Sequence, residues 1–119
     1  MLVDDQTLWI AAFQRGIEAV DLKSRTVKSY LADPSDPSSR VFVLFRSSSG
    51  RIWAGTSVGL FYYDRFEDRF VTRDPKVRIS DITEDHAGRL WIATNEDGLY
   101  SYDARTDLLQ HYRYDPDDP

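Results

Sequence analysis

Apolar residues fall along this chain in short, dense runs. Among them are Leu8-Trp9-Ile10-Ala11, Val41-Phe42-Val43-Leu44-Phe45, Gly59-Leu60-Phe61-Tyr62-Tyr63 and Leu90-Trp91-Ile92-Ala93. None continues in the three-and-four spacing that marks one face of a helix, so the pattern predicts strands and no helix of ordinary length. Turn residues separate the runs. Ser47-Ser48-Ser49-Gly50 and Asp85-His86-Ala87-Gly88 each end on a glycine that can take a left-handed backbone. The first side chain of each can accept a backbone N–H bond within the turn. Longer proline-containing stretches, Asp33-Pro34-Ser35-Asp36-Pro37-Ser38-Ser39 and Asp74-Pro75-Lys76, read as crossing loops, because proline blocks strand continuation.

The runs recur in order. Trp9, Trp53 and Trp91 stand 44 and 38 residues apart. A glycine follows each (Gly16, Gly59, Gly98) and opens a second run that closes on Asp21, Asp64 or Asp103. Beyond that Asp lie an apolar residue (Val27, Phe70 or Leu109) and then Tyr30, Arg73 or Tyr112, with Arg73 as the misfit. A leading run, Val41–Phe45 or Ile79–Glu84, precedes the second and third Trp. The middle strands are apolar on nearly every residue, whereas a sheet with one wet face would alternate. Sheets stacked face to face around an axis bury both faces, and repetition gives each an identical neighbour. The prediction is an all-β β-propeller fragment of about three four-stranded antiparallel blades. Blade 1 with its crossing loop spans 1–40, blade 2 spans 41–78, and blade 3 with the start of a further loop spans 79–119. Only Met1-Leu2-Val3 precede the first Asp-rich turn, so the first blade is expected to lack its inner strand.

The string from Ile82-Thr83-Glu84-Asp85 through Gly88-Arg89-Leu90-Trp91-Ile92-Ala93-Thr94 to Gly98-Leu99-Tyr100-Ser101-Tyr102-Asp103 resembles the two-component-regulator propeller repeat. That repeat runs roughly I-x-E-D-x-x-G-x-L-W-I-G-T, then G-L-x-x-Y-D, then F-x-x-Y. The middle copy is similar through Gly50, Ile52–Thr56, Gly59-Leu60, Tyr63-Asp64 and Phe70, and the first through Leu8-Trp9-Ile10, Gly16-Ile17 and Asp21. Departures are Arg25, Asp68 and Asp107 where the third turn usually has Gly, and Ala11 and Ala93 after the L-W-I string. The resemblance implies blades from the extracytoplasmic, periplasmic sensing region of a bacterial membrane regulator, often a hybrid histidine kinase. It also implies a non-enzymatic role and makes a glycan-derived small ligand the expected one.

Charge and composition narrow the partners. Net charge is −5 and no basic cluster is present, which argues against nucleic acid and anionic membranes. There is no cysteine, hence no disulfide frame or thiolate metal site. The start Met1-Leu2-Val3-Asp4-Asp5 is not a secretory signal, and no apolar run approaches the ~20 residues of a membrane span. Glu84-Asp85 is the one carboxylate pair worth weighing for acid–base work. Adjacent strand residues point to opposite faces, however, so no catalytic residue, cofactor or metal ligand is assigned. A propeller enzyme such as a lyase, or a pure scaffold, is the alternative reading. Ligand contacts are expected on the loops joining second to third strands, at Gln14, Arg15, Asn95 and Glu96. His86 and His111 read as surface residues. Finally, Gly16–Asp21 and Leu8–Ala11 are expected to be poorly covered, and Leu90, Ile92, Leu99 and Tyr102 to face outward. Such open faces predict packing on neighbouring blades of the same protein, or self-association.

Overall fold

The structure is a computed structural model and describes residues 1–12 and 15–113. Among these residues the strands are β1 (Leu2–Asp4), β2 (Thr7–Ala12), β3 (Gly16–Asp21), β4 (Val27–Tyr30), β5 (Val41–Arg46) and β6 (Ile52–Thr56). There follow β7 (Gly59–Asp64), β8 (Arg69–Arg73), β9 (Ile79–Glu84), β10 (Leu90–Thr94), β11 (Leu99–Asp103) and β12 (Leu108–Tyr112). Each set of four consecutive strands makes one antiparallel sheet in chain order. The first strands lie toward one another, with β5 against β1 and β2, and β9 against β5 and β6. This is how blades pack around a propeller axis.

The first blade has the inner strand that the sequence reading denied it. Leu2 pairs with Trp9 and Asp4 with Thr7. The strand was hidden because its hairpin is shortened: the loop is only Asp5-Gln6, with Asp5 at φ +57°. Tight two-residue hairpins require such a left-handed residue. In the other blades Arg46 pairs with Ile52 and Glu84 with Leu90 across longer turns. Asp4, at the end of β1, is buried and fixes the short strand to blade 2. It accepts bonds from Arg46 Nε at 2.7 Å and Arg65 Nη2 at 2.9 Å.

Side-chain alternation assigns each apolar residue to an interface. Ile52, Ala54, Phe61 and Phe70 of blade 2 join Trp9, Ile17 and Ala19 of blade 1. Trp53 and Leu60, on the opposite face of the same sheet, join Ile79, Ile82, Leu90, Ile92 and Tyr102 of blade 3. The middle sheet is thus buried on both faces. The expectation that Leu90, Ile92 and Tyr102 face outward is therefore corrected: they pack on blade 2, and of that set only Leu99 is exposed. The supposedly uncovered Trp9, Ile17 and Ala19 are likewise buried. Trp91 points to the far face of blade 3 and is half-buried. Close packing also explains two glycines. At Gly55 a Cβ would lie 2.6 Å from Ile79 Cγ2 and Val43 Cγ1, inside the blade 2–blade 3 interface. At Gly16, φ is +76° and a Cβ would lie 2.2 Å from the carbonyl oxygens of Tyr30 and Leu31.

The departures in the third turn have a structural role. Arg25, Asp68 and Asp107 all hold positive φ (+62°, +51° and +56°), the conformation glycine adopts most easily. In blades 2 and 3 the Asp side chain then clasps the preceding blade. Asp68 accepts bonds from Lys28 Nζ and Tyr30 Oη of blade 1, both at 2.6 Å, and from Tyr63 Oη of its own blade at 2.7 Å. The Lys28 bond, with those of Tyr30 and Tyr63, holds the Asp68 carboxyl well below the usual carboxylate range. Burial, reinforced by the bond to Asp68, pushes the Tyr30 phenol up. Asp107 repeats the arrangement, accepting Tyr102 Oη at 2.8 Å and the guanidinium of Arg73 from blade 2. Arg73, the misfit of the repeat, thus stands in for Tyr30, and its guanidinium also lies 4.4 Å from the centre of the Tyr102 ring. These bonds, Tyr102's first, lower the Asp107 carboxyl as well.

Candidate functional site

The turns between second and third strands share one rim with the crossing loops. Backbone bonds tie the two sets together: Ser57 N–H donates to the Arg40 carbonyl and Asn95 N–H to the Arg78 carbonyl, each at 3.0 Å. Leu60 N–H donates to the Pro75 carbonyl at 3.2 Å. On this rim Arg15, Asn95 and Glu96 are exposed, while Gln14 lies outside the described residues. Arg15 is on blade 1 and the Asn95–Glu96 pair on blade 3, and among the described residues no hydrogen bond or ion pair joins them. The rim therefore offers these groups as separate contacts across the width of three blades.

Beside Asn95 and Glu96 stands a group that sequence reasoning left aside. Thr94 Oγ1 accepts the Asp97 N–H at 2.9 Å and fixes the turn. The Asp97 carboxylate accepts the Tyr100 hydroxyl at 2.5 Å, and the His111 imidazole lies 3.7 Å from its other oxygen. His111 Nε2 also meets the Asp97 carbonyl oxygen at 2.5 Å. The Tyr100 and His111 rings stack with centres 4.1 Å apart and planes inclined by 2°. Burial and the bond to Asp97 push the Tyr100 phenol up to about 12. Tyr100 and His111 are direct cross-strand partners, so the hairpin register is the signal that could have paired them.

The opposite rim carries a groove of about 860 Å³ between blades 2 and 3, lined among others by Arg51, Trp53, Tyr62, Phe66, Glu84 and Arg105. The Arg51 guanidinium lies 4.6 Å from the Tyr62 ring centre, and Phe66 stands fully exposed at the groove edge. Glu84 and Asp85 are committed separately on this rim. Glu84 reaches back to blade 2 and accepts Ser48 N–H at 3.0 Å. Asp85 accepts the N–H groups of Ala87 and Arg89 and the Trp91 Nε1–H, each at 2.9 Å. The Trp91 bond, followed by the backbone bond from Arg89, lowers the Asp85 carboxyl to about 2. The pair that might have suggested acid–base chemistry thus has two structural assignments. Among the described residues no group of three or more His, Asp or Glu side chains is arranged to hold a metal ion.

Three antiparallel four-stranded sheets, packed face to face with their first strands together, define the chain as a stretch of β-propeller. Residues 74–96 match the sequence model of the two component regulator propeller. The chain thus carries the two-component-regulator propeller repeat, the matched residues running from the crossing loop after β8 through β9 and β10. It is similar to Histidine kinase P4 of Formosa agariphila, 34% identical over 97 residues, with 68% of this chain and 7% of that protein covered. The extracellular domain of a hybrid two component system from B. thetaiotaomicron superposes with a TM-score of 0.78 at 25% identity, covering 93% of this chain and 14% of that one. The extracellular domain of a one component system from the same bacterium gives 0.75 at 24% identity, covering 92% and 16%. The chain thus spans a small part of each relative's length. Among the described residues no helix is long and apolar enough to cross a membrane.

Proposed function

We propose that these blades are a non-enzymatic, ligand-sensing part of the periplasmic propeller of a bacterial two-component-type regulator. The observation that supports this most is the superposition of 93% of the chain on an extracellular domain of a hybrid two component system. The ligand proposed is a small glycan-derived molecule, held on the rim of second-to-third-strand turns by Gln14, Arg15, Asn95 and Glu96. An amide, a carboxylate and a guanidinium are the groups that bond sugar hydroxyls. The stacked Tyr100–His111 pair adds an aromatic plate beside them.

Chemical-shift mapping of the chain with neutral and acidic oligosaccharides tests the proposal. Shifts are expected at Arg15, Asn95, Glu96 and Tyr100, and a paired Asn95→Ala/Glu96→Ala change is expected to weaken binding about tenfold, roughly the loss of one or two hydrogen bonds. Shifts confined to Ser47–Gly50, Arg51 and Asp85–Arg89 would move the site to the opposite groove and overturn this assignment.

A further inference from the structure

The turn between β9 and β10 is built around a carboxylate. Asp85 accepts the Ala87 and Arg89 N–H groups and the Trp91 Nε1–H, each at 2.9 Å, and the Arg89 guanidinium at 3.2 Å. Blade 2 repeats the turn. Ser47 N–H donates to the Arg51 carbonyl as Asp85 N–H does to that of Arg89, each at 2.9 Å. Gly50 and Gly88 N–H donate in the same way to the Ser47 and Asp85 carbonyls. Ser47 thus holds the place of Asp85, Arg51 that of Arg89 and Trp53 that of Trp91. The two guanidiniums also lie alike against their tryptophans, 5.7 and 5.5 Å from the ring centres.

What differs is the acceptor. The Ser47 hydroxyl is engaged with Ser49 Oγ and the Arg51 carbonyl, and it carries no charge. Trp53 is 1% exposed, and its Nε1–H has no hydrogen-bond partner among the described residues. A buried donor in that condition costs stability, which an anion accepting from it recovers. The exposed Arg51 side chain rests on the Tyr62 ring and makes no ion pair among the described residues. Both groups line the groove between blades 2 and 3, whose own acids are committed elsewhere. Asp64 accepts the Phe66 N–H, Glu84 that of Ser48 and Asp103 that of Arg105. Trp9 has an unpartnered donor too, but the carboxylate of its turn, Asp4, already holds two arginines. We propose that this groove is a binding site for a small aryl carboxylate, whose charged end takes up Arg51 and the Trp53 donor as Asp85 takes up Arg89 and Trp91. A planar guanidinium matches a carboxylate. Tyr62, Leu90 and Tyr102 give the ring of the ligand an apolar wall. Because the Trp53 nitrogen is closed to solvent, the Arg51 side chain has to shift as the anion enters. The site is independent of the glycan reading, which concerns the other rim.

Nitrogen–proton correlation spectra of the purified chain test the proposal on the indole N–H signals, assigned by Trp→Phe variants. Phenylacetate at millimolar concentration is expected to move the Trp53 signal downfield, and the neutral phenylacetamide to leave it in place. Arg51→Gln is expected to weaken phenylacetate binding about tenfold, the loss of one charge-assisted hydrogen bond. Ser47→Asp supplies the carboxylate from within the turn. It is expected to move the Trp53 signal downfield without any ligand, toward that of Trp91, and to abolish the response to phenylacetate. A Trp53 signal that phenylacetate leaves in place, or that phenylacetamide moves as far, overturns the proposal. So does a folded Ser47→Asp protein that still binds phenylacetate as the unmodified chain does. Should Ser47→Asp fail to fold, the exposed Arg51→Gln decides, and undiminished binding overturns the proposal equally. None of these results bears on oligosaccharide shifts at Asn95 and Glu96, so the two sites stand or fall separately.

Discussion

Trp53→Ala is expected to lower the unfolding free energy by about 3–5 kcal/mol, the range for large aromatic side chains lost from a packed interior. Trp53 is 1% exposed and joins two blades rather than filling one. Its ring meets Tyr102 of blade 3 edge-on at 5.6 Å and Tyr62 of its own blade at 6.0 Å. Removing it therefore opens a cavity between sheets, where neighbouring strands cannot collapse independently. Its Nε1–H has no hydrogen-bond partner among the described residues, in contrast to that of Trp91. Trp53→Phe keeps most of the ring and discards the unpaired donor, so it should cost less than half as much as Trp53→Ala. Trp91→Ala, on the half-buried outer face, should also cost clearly less. Urea unfolding of the three variants is the measurement. A Trp53→Ala protein as stable as the unmodified chain would remove the tryptophans from the packing role.

The repeat was legible because its Trp, Gly and Asp stand at nearly fixed offsets, and each residue marks a different strand or turn. What escaped was whatever depends on which neighbour a residue meets. The shortened Asp5-Gln6 loop moved β1 closer to its Trp than in the other blades, so offsets taken from those blades missed it. Leu90 and Ile92 are apolar whichever way they point; only the order of the sheets shows that they face blade 2 and Trp91 does not. Arg73 seemed a defect because the offset rule asks for Tyr, while the interface asks only for a donor to Asp107. On the rim, Asn95 and Glu96 could be placed by topology alone. The Asp97–Tyr100–His111 group was missed because Tyr100 and His111 meet through the register of β11 on β12, which the apolar pattern does not specify by itself.

Asp68→Asn should cost about 1–2 kcal/mol and, with Asp107→Asn, flatten the loss of stability in acid; the figure is for hydrogen bonds to a charged group, discounted for solvent. The discount is needed because the Asp68 side chain is 42% exposed. Asparagine tolerates the φ of +51° at this position, so the substitution tests the charge and not the backbone. Three donors converge on Asp68, two of them from the preceding blade, and the charge is what they share. The Asp68, Asp107 and Asp85 carboxyls are all lowered in the folded protein. A lowered carboxyl contributes stability that is fully present above its unfolded pKa of about 3.9. That contribution is lost as pH falls toward the folded value, about 2 for Asp85 and lower still for Asp68. The unmodified chain should therefore lose stability steeply below about pH 4, where the clasps between blades take up protons. The Asp68→Asn/Asp107→Asn protein should start less stable at neutral pH and lose less on acidification. Urea midpoints measured from pH 6 down to pH 2 give both numbers. Parallel curves for the two proteins would mean that the acid response comes from other carboxylates, and that the clasps hold the blades by contact rather than by charge.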